Sequence, residues 1–274
     1  MNCAKKNTAS EYAGNTHTIH SISMMMNSEH IGRYPFTVEP FSEDYKGRLS
    51  WGFLGNHLLR CASLHAGSHG FGYDEMQETR HVWVLSRLVV ELEEMPRTGD
   101  KYTVETWVSA IYRQFTDRLF AITGESGRVF GYGHSVWALI DMDSRQPMEL
   151  EALPDGGFSS AVTDRKIPIK GPGRIRVKNT IPDCTLTARY SDLDINRHVN
   201  SIRYIEMMLD LFPKSLFDSH RVKRMEVAYS AEAYFGDRLS FFKDDGEDGS
   251  YAVEVRKQDG TPVVKAVITF DKEA

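Results

Sequence analysis

The chain carries one order of elements twice, and that repetition constrains its fold more than any other feature. Residues 49–64, LSWGFLGNHLLRCASL, place apolar side chains at Trp51, Leu54, Leu58, Cys61 and Leu64, a helical spacing. Glycines at 67, 70 and 72 end it. Runs rich in β-branched and aromatic residues follow: HVWVLSRLVVELEEM, KYTVETWVSAIY, FTDRLFAIT and RVFGYGHSVWALIDMD, parted by RTGD and TGESGR turns. Later the strand-like CTLTARY leads into SDLDINRHVNSIRYIEMMLD, where Ile202, Ile205, Met208, Leu209 and Phe212 share a helical face that Pro213 ends. Strand-like runs follow again: VKRMEVAYSAEAY, DRLSFFKDD, SYAVEVRKQ and PVVKAVITFD.

The halves overlay without gaps along their first strands. Arg87-Leu88, Val90, Leu92, Met95 and Gly99-Asp100 correspond at one constant offset to Arg224-Met225, Val227, Tyr229, Glu232 and Gly236-Asp237. Two tandem copies of one α+β unit follow, each a long helix against a curved antiparallel sheet, the arrangement that buries both apolar faces. The expected organisation is a polar, disordered extension over residues 1–30, a first unit over 31–154, a linker over 155–181 and a second unit over 182–274. The linker holds six Lys/Arg from Arg165 to Lys178 and no acid in that span.

A net charge of −5 excludes a generic nucleic-acid binder. No apolar run reaches the roughly 18 residues of a membrane span, and residues 1–30 lack the apolar core of a secretory signal. Cys3, Cys61 and Cys184 are scattered without a CxxC pair, which fits free thiols in a reducing cytoplasm, the expected location. No metal or cofactor is expected: DLDINRHVNSIR starts like a calcium loop but has Arg197 at the sixth position and Arg203 at the twelfth. GxSxG, HExxH and P-loop motifs are absent.

Asp192, Asp194, Asn196, His198 and Asn200 recur at every second residue, which would place them on one side of an extended segment ahead of a helix N-terminus. Free helix amides and an Asn side chain suit a developing oxyanion, and a carboxylate at Asp194 or Glu232 suits water activation or direct attack. A thioester fits this equipment, because a thiol of pKa about 8.5 leaves without a strong general acid. The first copy serves as a control. An approximate helix alignment sets Asp194, Asn196 and His198 opposite Ser50, Gly52 and Leu54, and the strand alignment sets Glu232 opposite Met95. One active copy and one copy that shapes a binding cavity are therefore expected. Asn200 or Ser201 reads as an N-cap, and Asp192 as an orienting or structural residue. His57, His65, His69, His81 and His134 read as structural or surface residues.

SDLDINRHVNSIRYIEMMLD, with its D-x-N-x-H core, resembles the signature of the plant-type fatty acyl–acyl carrier protein thioesterases. NHLLRCASLHAGSHGFGYDEM, VWVLSRLVVELEEMPRTGDKYTVETWVS and SVWALIDMDSRQPMEL match that family's first half in order and spacing. The resemblance implies a double hotdog fold and hydrolysis of acyl carrier protein thioesters in fatty acid biosynthesis. It carries over Asp194, Asn196, His198 and Glu232 as the catalytic set. Plant members often have Cys after the Glu; here Ala233 stands there, so no thiolate nucleophile is available at that position. The preferred scheme has Asn196 and a helix-terminal amide polarising the carbonyl, Asp194 attacking or activating water, and Glu232 with His198 managing protons.

Leu58, Met76, Trp83 and Trp107 are the expected acyl-chain lining. Arg174, Arg176 and Lys178 of the basic linker are the expected docking surface for the acidic carrier protein, with Arg221, Lys223 and Arg224 as additions. Arg224 shares its repeat position with Arg87, which also fits a structural role. Two hotdogs in one chain already form the pair that single-hotdog proteins reach by dimerising, and a homodimer of the whole chain stays open. Other readings are an acyl-CoA thioesterase or a hotdog 3-hydroxyacyl dehydratase, separated by thiol release against dehydration, and a non-catalytic acyl-binding module, which would need the cavity but not the polar set.

Overall fold

A computed structural model describes residues 30–150 and 161–273. The polar extension and the first part of the expected linker lie outside these residues. Strand β1 (Gly32–Thr37) precedes helix α1 (Trp51–Gly67), the short α2 (Tyr73–Glu78) and strands β2 (His81–Leu92), β3 (Lys101–Ile111), β4 (Phe115–Gly124) and β5 (Val129–Asp141). The second half repeats this with β6 (Cys184–Thr187), α3 (Ser201–Leu209), α4 (Lys214–Ser219), β7 (His220–Tyr229), β8 (Arg238–Asp245), β9 (Ser250–Lys257) and β10 (Pro262–Lys272).

All ten strands form one antiparallel sheet in the order β1-β3-β4-β5-β2-β7-β10-β9-β8-β6. Read outward from the middle, each half has the same sequence of partners. β2 and β7 join the halves: Leu88 pairs with Val227, Val89 with Glu226 and Val90 with Met225. The repeat offset equates Leu88 with Met225 and Val90 with Val227, so the junction is a pseudo-two-fold whose axis passes between Val89 and Glu226. This is the tandem double hotdog, an α+β fold.

The two helices meet on one face of the sheet. Leu54, Leu58 and Cys61 of α1 and Ile202, Ile205 and Met208 of α3 are buried in one continuous core with Val90, Val104, Met225 and Val264. Close approach requires glycine: a Cβ at Gly55 would lie 2.7 Å from Ile202 Cδ1. Ser50 caps α1 by accepting from the Phe53 amide, and Asn200 caps α3 by accepting from Ile202. Helix α3 stops at Leu209, short of the expected Phe212, because a turn precedes Pro213 and α4.

From residue 161 onward the linker is an ordered strap. Val162 bridges to Val108, Arg165 O accepts from Trp107 Nε1 at 2.9 Å, and Ile167 packs on the patch of Trp107, Leu119 and Ala121. The repeat-related arginines both hold it: Arg87 donates to Gly173 O at 3.1 Å and Arg224 to Lys170 O at 2.9 Å. Beyond the junction, the Lys178 and Asn179 amides donate to the Asp244 carboxylate. The strap thus ties both halves together from β3 to β8.

Candidate active site

The polar stretch before α3 is a tight loop, not the extended segment that alternation suggested. Asp192 closes a 3-10 turn, Tyr190–Asp192, and is buried: Oδ2 accepts from the Arg189 amide at 2.7 Å and Oδ1 from Arg203 Nε at 2.8 Å. Asp194 then folds the chain back. Its Oδ1 accepts from the Asn196 amide at 2.8 Å and the His198 amide at 3.2 Å, and its own amide donates to His198 O. Arg197 takes φ 65 to make the reversal. Asn196 and His198 therefore point where they do because Asp194 holds the loop.

Glu232 comes from the loop after β7 rather than from a strand, and the backbone brings it to His198. The Val199 amide donates to Ala233 O at 2.8 Å, and His198 forms a bridge with Tyr234. Glu232 Oε2 lies 3.5 Å from His198 Nε2 and accepts from the Tyr234 hydroxyl at 3.0 Å, while Oε1 takes the Arg145 guanidinium. Tyr234 stands edge-on to the His198 ring, centroids 5.0 Å apart. Partial burial raises the Glu232 pKa, but Arg145, Tyr234 and His198 outweigh it and hold the carboxyl below the usual range.

Arg145 and Tyr234 are the site residues that sequence reasoning missed. Tyr234 lies two positions past Glu232, a spacing that could have flagged it. Arg145 sits in the β5 turn DMDSRQP at φ 59 and reaches in from the other half, a contact no local pattern encodes.

The first half contains a twin of this loop, and it corrects the alignment drawn from sequence. Asp44, not Ser50, matches Asp194: Asp44 Oδ1 accepts from the Lys46 amide at 2.8 Å and the Arg48 amide at 3.1 Å, and Gly47 takes φ 69. The Leu49 amide donates to Pro96 O at 2.8 Å, as Val199 does to Ala233. Ser50 matches Asn200 as the cap. Gapless helix matching failed because the helices differ in length and the loops lie ahead of them. The strand alignment stands, with Met95 opposite Glu232. Between the twins, then, Asp is common, whereas Asn196, His198 and Glu232 face Lys46, Arg48 and Met95. In the first half these positions are tied into an ionic cluster instead, on the wall of a separate cavity of about 650 Å³ that Met95 also lines: Arg48 bonds Asp44 Oδ2 at 2.8 Å and Glu273 Oε1 at 3.0 Å, and Lys46 also bonds Glu273.

Asn196 and Ile195 stand at the edge of a cavity of about 210 Å³ built mainly by the first half. Met76 and Trp83 line it, with Leu59, Ala62, Phe71 and Trp137. Leu58 and Trp107 do not line it. Leu58 faces the shared core under α1, and Trp107 lies on the opposite face of the sheet beneath the strap, with Arg165 over its ring. Of the histidines set aside from sequence, His81 lines the cavity, and His57 bonds the Tyr102 hydroxyl at 2.6 Å. Cys61 is buried and its thiol is pushed up to about 12 by that burial. Arg174, Arg176 and Lys178 are exposed on the strap; the latter two border a depression that also holds Asp183, Asp244 and Asp245.

The structure is a two-unit hotdog in which the histidine of a carboxylate–histidine pair sits on the loop that carries Asn196 to a largely apolar cavity. The chain belongs to the acyl-ACP thioesterase family: residues 32–152 match the model of the acyl-ACP thioesterase N-terminal domain and residues 178–272 that of the C-terminal domain. It is 48% identical to an acyl-ACP thioesterase of Bacteroides thetaiotaomicron whose crystal structure superposes with a TM-score of 0.84, covering 88% of this chain and 98% of that one. It is 30% identical over 191 residues to a chloroplastic dodecanoyl-acyl-carrier-protein hydrolase of Cinnamomum camphora, covering 65% of this chain and 50% of that protein. A 12:0-ACP thioesterase of Umbellularia californica shares the fold, with a TM-score of 0.78 at 24% identity. The chain spans about half the length of the curated relatives it matches.

Proposed function

We propose that this protein hydrolyses acyl carrier protein thioesters to free fatty acid and the carrier's thiol, with a His198–Glu232 pair as its base. One observation carries the reading. His198 Nε2 lies 3.5 Å from a Glu232 carboxylate held by Arg145 and Tyr234, and its loop puts Asn196 at the edge of the apolar cavity.

The acyl chain lies in the cavity against Met76 and Trp83, with the thioester carbonyl at Asn196. The Asn196 backbone amide is held by Asp194, which leaves its side-chain amide to donate to the carbonyl oxygen. The amides of Ile202 and Arg203 already bond Asn200, so the end of α3 contributes less than its sequence position suggested. With the Nε2 proton directed at Glu232, Nδ1 of His198 is the basic nitrogen. It takes a proton from water as that water attacks the carbonyl carbon. The tetrahedral oxyanion collapses, the carbon–sulfur bond breaks, and His198 returns the proton to the leaving sulfur.

The carrier protein docks on the exposed cations of the strap, Arg174, Arg176 and Lys178. Purified full-length protein should release thiol and free acid from acyl carrier protein substrates, with His198→Ala and Glu232→Gln each lowering kcat about 10²–10⁴-fold. Full activity in both variants would refute the assignment. Dehydration of a 3-hydroxyacyl thioester without thiol release would favour the dehydratase alternative instead.

A further inference from the structure

Arg118 is a buried cation with no carboxylate beside it. It lies on β4 with 5% of its surface exposed and forms part of the cavity wall. Its guanidinium makes two hydrogen bonds, both from Nη1, one to His65 Nδ1 at 3.0 Å and one to Thr106 Oγ1 at 3.3 Å. Among the described residues Nε and Nη2 have no acceptor, and no ion pair involves this residue. The ionisable neighbours do not compensate its charge. Burial pushes the Cys61 thiol and the Tyr34 hydroxyl up to about 12, so both stay neutral. Burial and Arg118 itself push His65 down to about 3, so it is neutral as well. Burial lowers Arg118 to about 10, which leaves it charged near neutral pH.

A guanidinium in such a place is a poor choice for stability. Burying an unpaired charge is costly, and apolar residues of similar volume are often as good or better. A methionine would fill this wall as it does at Met76. The donors left over on Nε and Nη2 form the fork that grips a carboxylate in bidentate fashion or bonds a single acceptor oxygen. The rest of the wall is largely apolar, so an acceptor reaching Arg118 would arrive on an otherwise hydrocarbon chain.

We propose that the cavity selects acyl groups carrying an acceptor oxygen near the end remote from the thioester, a terminal carboxylate being the strongest case and a hydroxyl or keto oxygen weaker ones. Asn196 would hold the thioester end and Arg118 the oxygenated end. This inference rests on the hydrolysis reading for the direction in which the chain lies. A pocket built to bond an oxygen rejects the analogue that lacks it far more strongly than an apolar pocket rejects an added hydroxyl. An unsubstituted chain would leave the Arg118 donors desolvated and unpaired.

The test uses the full chain and two readouts. Hydrolysis is measured on octanoyl, 8-hydroxyoctanoyl and 7-carboxyheptanoyl thioesters of acyl carrier protein. Binding is measured by calorimetry on the matching octyl, 8-hydroxyoctyl and 7-carboxyheptyl pantetheine thioethers, which cannot be hydrolysed. An oxygenated chain should be preferred at least about tenfold in kcat/KM and in Kd. Arg118→Met should abolish that preference while keeping or raising Tm, and Arg118→Lys should retain part of it. Equal treatment of all three chains by the native protein, or a preference unchanged in Arg118→Met, would overturn the inference. If no thioester is hydrolysed but the thioethers still show the Arg118-dependent preference, the hydrolysis reading fails and the oxygen-binding pocket stands. If Arg118→Met does not fold, the native protein's ranking of the thioethers, with Arg118→Lys as the variant, decides the matter.

Discussion

Asp44 and Asp194 make the same turn in the two halves, each accepting two backbone amides on Oδ1, yet only Asp44 has its second oxygen taken, by Arg48. A turn present in both copies is required by the fold. What distinguishes the second copy is the pair His198–Glu232 and the amide of Asn196. Asp194→Asn, which keeps an acceptor oxygen, should therefore leave Tm nearly unchanged and lower kcat by less than about tenfold. Asp194→Ala should cost about 1–3 kcal/mol of stability through the two stranded amides. A loss of about a thousandfold or more in folded Asp194→Asn, with an acyl-enzyme trapped under single turnover, would make this residue the nucleophile.

In the proposed reaction Arg145 would set the acid limit. It and Tyr234 keep the Glu232 carboxyl below the usual range against the upward pull of burial. A depressed folded pKa means that the stabilising interaction is present above the unfolded pKa and is lost as pH falls through the folded one. Arg145→Met should raise the Glu232 pKa, so the acid limb of kcat/KM moves to higher pH while the basic limb stays put. A uniform drop at every pH would mean that Arg145 acts elsewhere.

Much of this architecture was legible in the sequence because it rests on periodicity and repetition. The constant offset of the strands located the pseudo-two-fold, and Val89 and Glu226, equated by that offset, pair with each other. The helix alignment was not legible: α1 and α3 differ in length, and the twin loops share only their Asp. Leu58 and Trp107 showed the limit of hydrophobicity as a guide, since a buried aromatic or aliphatic residue can face either side of a sheet. Arg145 and Arg118 make their contacts between elements distant in the chain, where spacing carries no signal.

The interface between the units depends on helices passing at glycine distance. A methyl group at Gly55 would meet Ile202 Cδ1 at 2.7 Å, inside van der Waals contact. The more favourable helix propensity of alanine, worth up to about 1 kcal/mol, is outweighed by overpacking of roughly 1–3 kcal/mol. Gly55→Ala should therefore lower the denaturation midpoint, and Gly55→Ala with Ile202→Val should recover part of it. A stabilised single variant would show that the helices separate at no cost.

The proposed docking of the carrier protein on the strap can be tested apart from the chemistry. Arg174, Arg176 and Lys178 are exposed, but Asp183, Asp244 and Asp245 lie beside the second and third, so their joint field is weaker than their count implies. Reversing all three to Glu should raise KM severalfold for carrier-bound substrate at low salt, an effect that fades as ionic strength rises. The same variant should hydrolyse acyl-pantetheine at the native rate, because the strap lies across the sheet face away from the helices and the Asn196 loop. Arg174→Glu alone should account for most of the change, since Arg174 lies outside the depression that holds those three carboxylates. An unchanged KM for carrier-bound substrate would move docking off the strap altogether.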